Sequence, residues 1–141
     1  MDEAHARGID HVGVVVRDLD AAAETYKRLL GASELAREEL EEHGVAVVAL
    51  RLPGGIVELL SPTRSGTGVA RFLDGRGEGL HHVAYRVESV ARELERLRQE
   101  GVRLVDEQPR RGLGGRAVAF VHPQGASGVL TELVEPWEDH P

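Results

Sequence analysis

Cysteine is absent from the 141 residues. Disulfides and thiolate chemistry are therefore excluded, and any metal would have to be held by imidazole and carboxylate. A surplus of positive charge is absent too. The formal net charge is −7, which makes nucleic acid a poor partner, because its affinity comes from Lys and Arg on phosphates. A phosphate-bearing small molecule stays open if Arg residues cluster locally. No apolar run approaches the length of a membrane span. The stretch from Met1 to Gly8 is short and polar, with no hydrophobic core of a secretory signal. Cytoplasmic residence fits these absences. Apolar residues at 41% and charged residues at 29% give an ordinary globular balance. The length suits one compact domain, or two small halves sharing a core.

Internal similarity is the informative feature. Ile9-Asp10-His11-Val12-Gly13-Val14-Val15-Val16 resembles Leu80-His81-His82-Val83-Ala84-Tyr85-Arg86-Val87, with 71 residues from His11 to His82. Both stretches alternate and are rich in β-branched residues, so both read as strands. Each is followed by a predicted helix. The first runs from about Asp18 to Leu30, with Asp18 or Asp20 as its N-cap, Leu19, Ala22, Ala23, Tyr26, Leu29 and Leu30 as its stripe and Gly31 as its stop. The second starts at Ser89, carries Val90, Leu94 and Leu97, and ends at Gly101.

Three strand-like stretches follow each helix. In the first half they are Ser33–Glu41, Gly44–Leu52 and Ile56–Ser61; in the second, Val102–Asp106, Arg116–His122 and Val129–Val134. Ile56-Val57-Glu58-Leu59-Leu60 matches Leu130-Thr131-Glu132-Leu133-Val134. Each half is therefore β-α-β-β-β: module 1 covers about 8–62 and module 2 about 79–135 of a single domain over 1–141. The linker, 63–78, is rich in Gly, Ser and Arg, with a short helix expected around Val69 to Asp74. A repeat this short cannot bury its own sheet face, so the halves are expected to pack together or to swap between subunits.

Alternation along the strands puts Val12, Val14 and Val16 under the first helix and His11, Gly13 and Val15 on the opposite face. In the second copy His82, Ala84 and Arg86 face away from the helix. Each matched His is followed two positions later by a small residue, which leaves room for something beside it. Glu58 and Glu132 sit inside apolar strands, where an ionised carboxylate is costly unless paired or bound to a metal. A lone strand His or Glu is more often structural. Two His and two Glu at matched places point instead to a site for Co²⁺, Ni²⁺, Mn²⁺ or Zn²⁺.

The remaining histidines read as structural or solvated. His81 faces the helix side, His43 stands in a turn before Gly44, His122 closes a strand before Pro123, and His5 and His140 lie near the termini. Arg110-Arg111-Gly112-Leu113-Gly114-Gly115-Arg116 reads as a loop whose amides could meet an anion, or as a plain hairpin turn.

Paired β-α-β-β-β modules with matched His and Glu resemble the vicinal oxygen chelate superfamily, and within it the methylmalonyl-CoA epimerase family. The resemblance runs from Ile9 to Glu135. It is carried by Ile9-Asp10-His11-Val12-Gly13-Val14, Glu42-His43-Gly44-Val45, Gly77-Glu78-Gly79-Leu80-His81-His82-Val83-Ala84, Phe120-Val121-His122-Pro123 and Gly128-Val129-Leu130-Thr131-Glu132-Leu133. It implies an α+β fold of two paired βαβββ modules forming a curved eight-stranded mixed sheet. It implies His11, His82 and Glu132 as metal ligands, with Glu58 at a fourth place that is Gln in some relatives. The implied cofactor is a divalent ion, Co²⁺ first. The implied reaction interconverts the (R) and (S) forms of methylmalonyl-CoA by removing and returning the α-proton through a metal-stabilised enolate. The implied protein is a cytoplasmic homodimer that takes a CoA thioester and neither nucleic acid nor membrane.

Two positions depart from the family pattern. Val47 stands where some relatives carry a Glu on the third strand, and Gln124 where a Lys often follows His-Pro. With Val47 there, Glu132 and Glu58 are the expected bases, related to each other by the repeat; His122 or a water is the alternative for the second proton. Arg110, Arg111, Arg116, Arg71 and Arg76 are the expected candidates for the CoA phosphates. A glyoxalase I-type lyase would use a similar ligand set. A metal-free drug-binding protein of the same fold would have no need of four ligands.

Overall fold

The computed structural model describes residues 4–138. They form two compact units, residues 11–81 and residues 4–10 with 82–138. Strands β1 (Gly8–Val15) and β5 (Gly79–Arg86) straddle the division. His140 lies outside the described residues.

The first unit carries most of β1, then α1 (Leu19–Leu30), β2 (Ser33–Leu40), β3 (Val45–Leu52), β4 (Gly55–Pro62) and α2 (Gly68–Arg76). Helix α1 begins where Asp18 accepts a hydrogen bond from the Ala21 amide at 3.0 Å, and stops at Gly31, whose φ of 70° is the left-handed conformation glycine tolerates best. Its apolar stripe is the reason it docks. Leu19, Ala22, Ala23 and Tyr26 pack with Val12, Val14 and Val16 of the first strand, Val48 and Leu50 of β3, and Val57 and Leu59 of β4. The sheet order is β2-β3-β4-β1, parallel between β1 and β4 and antiparallel elsewhere.

Strand β2 is irregular. Its register against β3 shifts between Glu34 and Ala36. Glu34 and Arg37 consequently share the helix-side face: Arg37 reaches Asp20 of α1 at 2.6 Å and Glu34 at 3.2 Å. The Arg37 hydrogen bond holds the Glu34 carboxyl below its ordinary range. Beyond the strands, α2 covers the expected linker helix, capped by Thr67 through the Ala70 amide at 3.2 Å and seated by Ala70 and Leu73. The linker's end is pinned by Glu78, which accepts from the Arg17 amide at 2.8 Å.

The second unit repeats the plan with β5, α3 (Val90–Gln99), β6 (Arg110–Arg111), β7 (Ala117–Val121) and β8 (Thr131–Val134). The described residues form eight strands, four to a module, with a parallel β5/β8 pair matching β1/β4. Ser89 caps α3 through the Arg92 amide at 3.2 Å, and Glu135 accepts from the Val90 amide at 2.9 Å. Val90, Leu94 and Leu97 then pack on Val87, Ala119, Val121 and Leu133. No helix among the described residues is long and apolar enough to cross a membrane.

One expected strand is missing. Val102–Asp106 contributes only an isolated bridge, Leu104 to Val121, and the strand beside β7 is Arg110–Arg111 instead. Two contacts explain this. The Phe120 amide donates to the Asp106 side chain at 2.8 Å, where a ladder would use a backbone carbonyl, and the Val105 and Asp106 amides both donate to the Phe120 carbonyl. Pro109, with no amide of its own, then precedes the short β6.

The start of the chain is tied to the second unit. The Arg7 amide donates to the Arg86 carbonyl at 2.7 Å. Asp10 meets Arg116 at 3.1 Å, with both side chains under 5% exposed, and Arg86 stands 3.8 Å from the same carboxylate. Trp137 covers the Arg116 guanidinium at 4.2 Å. Arg116 is thus a buried clamp between the first strand and the C-terminal loop, and it leaves the group of expected phosphate contacts.

Removing one partner of a buried ion pair strands the other. Arg116→Ala is expected to cost about 3–5 kcal/mol in urea unfolding, against under about 1 kcal/mol for Arg98→Ala in the exposed pair with Glu95. Gly114→Ala is expected to destabilise as well, since an added methyl would overlap the Trp137 ring at a backbone φ of 71°.

Candidate functional site

In the first unit the site is built from β1 and β4. The register sets Gly13 beside Glu58, and Ala49 of β3 lies on Glu58's other side. The two smallest side chains available therefore flank the carboxylate. His11 Nε2 stands 3.4 Å from Glu58 Oε1, with the side chains 1% and 9% exposed.

In the second unit β5 and β8 do the same. Ala84 stands beside Glu132, with Phe120 of β7 on the far side. His82 Nε2 is 3.5 Å from Glu132 Oε1, at 3% and 9% exposure. The Phe120 ring meets the His82 ring edge-on at 5.2 Å and holds its plane. The small residue after each matched His thus has a structural purpose: it makes room for the carboxylate one strand over.

The two pairs use the same atoms at nearly the same spacing. That spacing is wider than a well-formed hydrogen bond of about 2.7–3.2 Å. It is the separation expected of two donor atoms, each about 2.0–2.2 Å from one ion. Two imidazoles and two buried carboxylates with no thiolate suit a divalent ion of hard or borderline character. His11 with Glu58 in the first unit, and His82 with Glu132 in the second, are the buried donor pairs that could hold such an ion.

The other sequence candidates fall elsewhere. His81 packs edge-on against Phe72 of α2 at 5.1 Å. His122 Nδ1 accepts from the Gln124 amide at 3.0 Å, so it caps the turn that follows β7. His43 is half-buried in a short 3-10 turn, and His5 is exposed. Arg71 donates to the Gly66 carbonyl at 2.8 Å and Arg76 stands over Phe72 at 5.4 Å; Arg110, 3.4 Å from Asp106, instead adjoins the site, over the Phe120 ring at 5.3 Å. The Asp10–Arg116 clamp and the place of Glu38 of β2 on the Glu58 face of the sheet escape sequence reasoning. Only a known register exposes them.

Comparison with known proteins places this architecture. A model of the glyoxalase/bleomycin resistance protein/dioxygenase superfamily matches residues 10–120. The ethylmalonyl-CoA/methylmalonyl-CoA epimerase of Cereibacter sphaeroides is 38% identical over 127 residues, 89% of this chain and 95% of that protein. The crystal structure of methylmalonyl-CoA epimerase from Mycobacterium tuberculosis is similar at TM-score 0.91 and 40% identity, covering 96% of this chain and 92% of that one. A methylmalonyl-CoA epimerase in complex with methylmalonyl-CoA and ammonium gives TM-score 0.89 at 37% identity, covering 94% and 96%. The chain belongs to that superfamily, in its methylmalonyl-CoA epimerase family.

His122 serves as a test of where the chemistry lies. His122→Asn keeps a capping acceptor and is expected to leave both stability and turnover within about twofold of the parent. His122→Ala is expected to cost about 1 kcal/mol in urea unfolding with turnover unchanged.

Proposed function

We propose that the protein epimerises methylmalonyl-CoA, with one divalent ion held by His11, Glu58, His82 and Glu132. The observation that carries this reading is the repeated buried imidazole–carboxylate pair, at equivalent places of both modules, in a chain of this family. The ion is Co²⁺, with Ni²⁺, Mn²⁺ and Zn²⁺ as alternatives that the same ligands accept. When bound, such an ion draws charge from the thioester carbonyl and makes the neighbouring C–H more acidic.

The chain's own side chains must then move a proton. Epimerisation takes the α-proton from one face of the carbon and returns one to the other, so each face needs a carrier within hydrogen-bond reach. Glu132 is the carrier for one face. Within the ligand set, Glu58 is the candidate for the other. A carboxylate that shares its charge with an ion is a weak base, so each can act only through an oxygen not given to the ion. The substrate is a small CoA thioester, and the enzyme works as a homodimer in the cytoplasm. A solution mass of twice the 15.3 kDa chain checks the dimer.

Purified protein loaded with Co²⁺ is expected to convert (S)-methylmalonyl-CoA to an equal mixture of epimers, and to leave the methylglyoxal–glutathione adduct untouched. The reverse pattern would make it a glyoxalase-type lyase; inertness toward both would sink the enzyme reading.

His82→Ala is expected to cut bound metal at least tenfold and to bring turnover to background. Stripping the ion from the parent should lower its stability by about 2.7 kcal/mol relative to protein held at 100 times the dissociation constant. Metal content by elemental analysis and urea melts check both.

A further inference from the structure

The site face of the second unit carries a cation beside its imidazole and carboxylate. Residues that stand directly opposite on neighbouring strands share a face. Glu132 stands between Ala84 of β5 and Phe120 of β7, and Val134 beside Val118. Val118 in turn opposes Arg110 of β6. Ala119, Val121 and Leu133, one residue out of phase, pack with Val90 and Leu94 of α3. Arg110 therefore points off the same surface as His82, Phe120 and Glu132, and all four belong to one compact unit.

The Arg110 guanidinium is held from two sides. It stands over the Phe120 ring at 5.3 Å, a cation–π contact. The same ring meets the His82 ring at 5.2 Å. Guanidinium and imidazole can be no further apart than those two distances together. Behind it, Arg110 Nε is 3.4 Å from Asp106 Oδ2, and that oxygen is itself fixed by the Phe120 amide at 2.8 Å. The carboxylate that breaks the expected strand thus aims the guanidinium. At that spacing, beyond a well-formed hydrogen bond, it steers more than it binds. Arg110 and Phe120 are both half-buried, so they edge the surface that His82 and Glu132 share.

We propose that Arg110 holds the free carboxylate of the acyl group, and so selects 2-carboxyacyl thioesters over neutral ones. The inference rests on the epimerase reading and deepens it by naming the anion that the site recognises. In methylmalonyl-CoA that carboxylate is attached to the reacting carbon itself, whereas the phosphates lie at the far end of the pantetheine arm. An arginine this close to the imidazole therefore meets the acyl anion. A guanidinium has five N–H donors in one plane, and two side by side match the two carboxylate oxygens. A fork already oriented by Asp106 and Phe120 loses little freedom when it binds. The pairing also serves the reaction. Loss of the α-proton leaves an enolate next to a carboxylate, and a cation on that carboxylate lessens the repulsion between the two negative charges.

The test is calorimetry on metal-loaded full-length protein, with an equilibrated mixture of the methylmalonyl-CoA epimers and with propionyl-CoA, which lacks only the carboxylate. Arg110→Met keeps a stem over Phe120 and removes the charge. It is expected to weaken methylmalonyl-CoA binding by about tenfold or more, to leave propionyl-CoA within about twofold, and to slow epimerisation. Arg110→Lys should recover part of the preference for the charged thioester. Arg111→Met is the control: Arg111 opposes Ala117 on the helix-side face, and this variant should match the parent. Arg110→Met with the parent's preference intact overturns the assignment. Equal weakening of both thioesters in Arg110→Met and Arg110→Lys alike overturns it too, since the carboxylate would then not be what Arg110 reads. A parent that epimerises nothing sinks the broader reading and this assignment with it. A parent that epimerises while Arg110→Met keeps its preference sinks the assignment alone, so the two failures are told apart.

Discussion

Everything in this molecule arranges itself around the cost of a charge inside a sheet. An ionised carboxylate taken out of water costs several kcal/mol unless something nearby compensates it. The described residues bury three, Asp10, Glu58 and Glu132; Asp10 meets a guanidinium, and each of the other two has an imidazole on the neighbouring parallel strand. That choice fixes much else. The residue beside the carboxylate on the imidazole's own strand is small, hence Gly13 and Ala84. The strand must carry apolar residues on its other face, so that a helix can pin it there. The helix caps, Asp18 and Ser89, sit 71 residues apart like the histidines, because the whole supporting unit was copied with the pair.

Much of this is legible in the amino-acid order. Helix α1 announces itself by an apolar stripe between an Asp cap and a Gly stop, and the four ligand candidates by their repetition. Those signals are local or periodic, and they survive folding unchanged. The failures are pairwise. Val102–Asp106 has the composition of a strand, yet the Asp106 side chain takes the Phe120 amide and breaks the ladder. In sequence, Arg116 is one more basic residue of a glycine-rich loop. Its partner is Asp10, and no periodicity connects positions so far apart.

Glu38 is the sharpest case. Strand β2 reads Ser-Glu-Leu-Ala-Arg-Glu-Glu-Leu, with no clean alternation to say which residues face inward. The shift after Glu34 reverses the parity of the rest of the strand. A single extra residue decides whether that carboxylate shares the sheet face of Glu58 or turns toward α1, and nothing in composition records it. The two modules are thus alike in their ligand pairs and unlike at their margins: Ala49 flanks one carboxylate and Phe120 the other. Divergence has been free to act where the buried charge does not constrain the sequence.

The Asp10–Arg116 pair also bears on how the chain acquires its shape as it is made. Its members are 106 residues apart, and the strand that carries Asp10 continues directly into His11. At about 5–20 residues per second, a ribosome delivers Arg116 roughly 5–20 s after Asp10. For that interval the strand that carries Asp10 lacks its Arg116 clamp, and its exposed Ile9 stands next to a carboxylate that Arg116 does not yet meet. Strand β1 is therefore made well before the residue that secures it. A chaperone that shields emerging strand edges would have most to do at this strand.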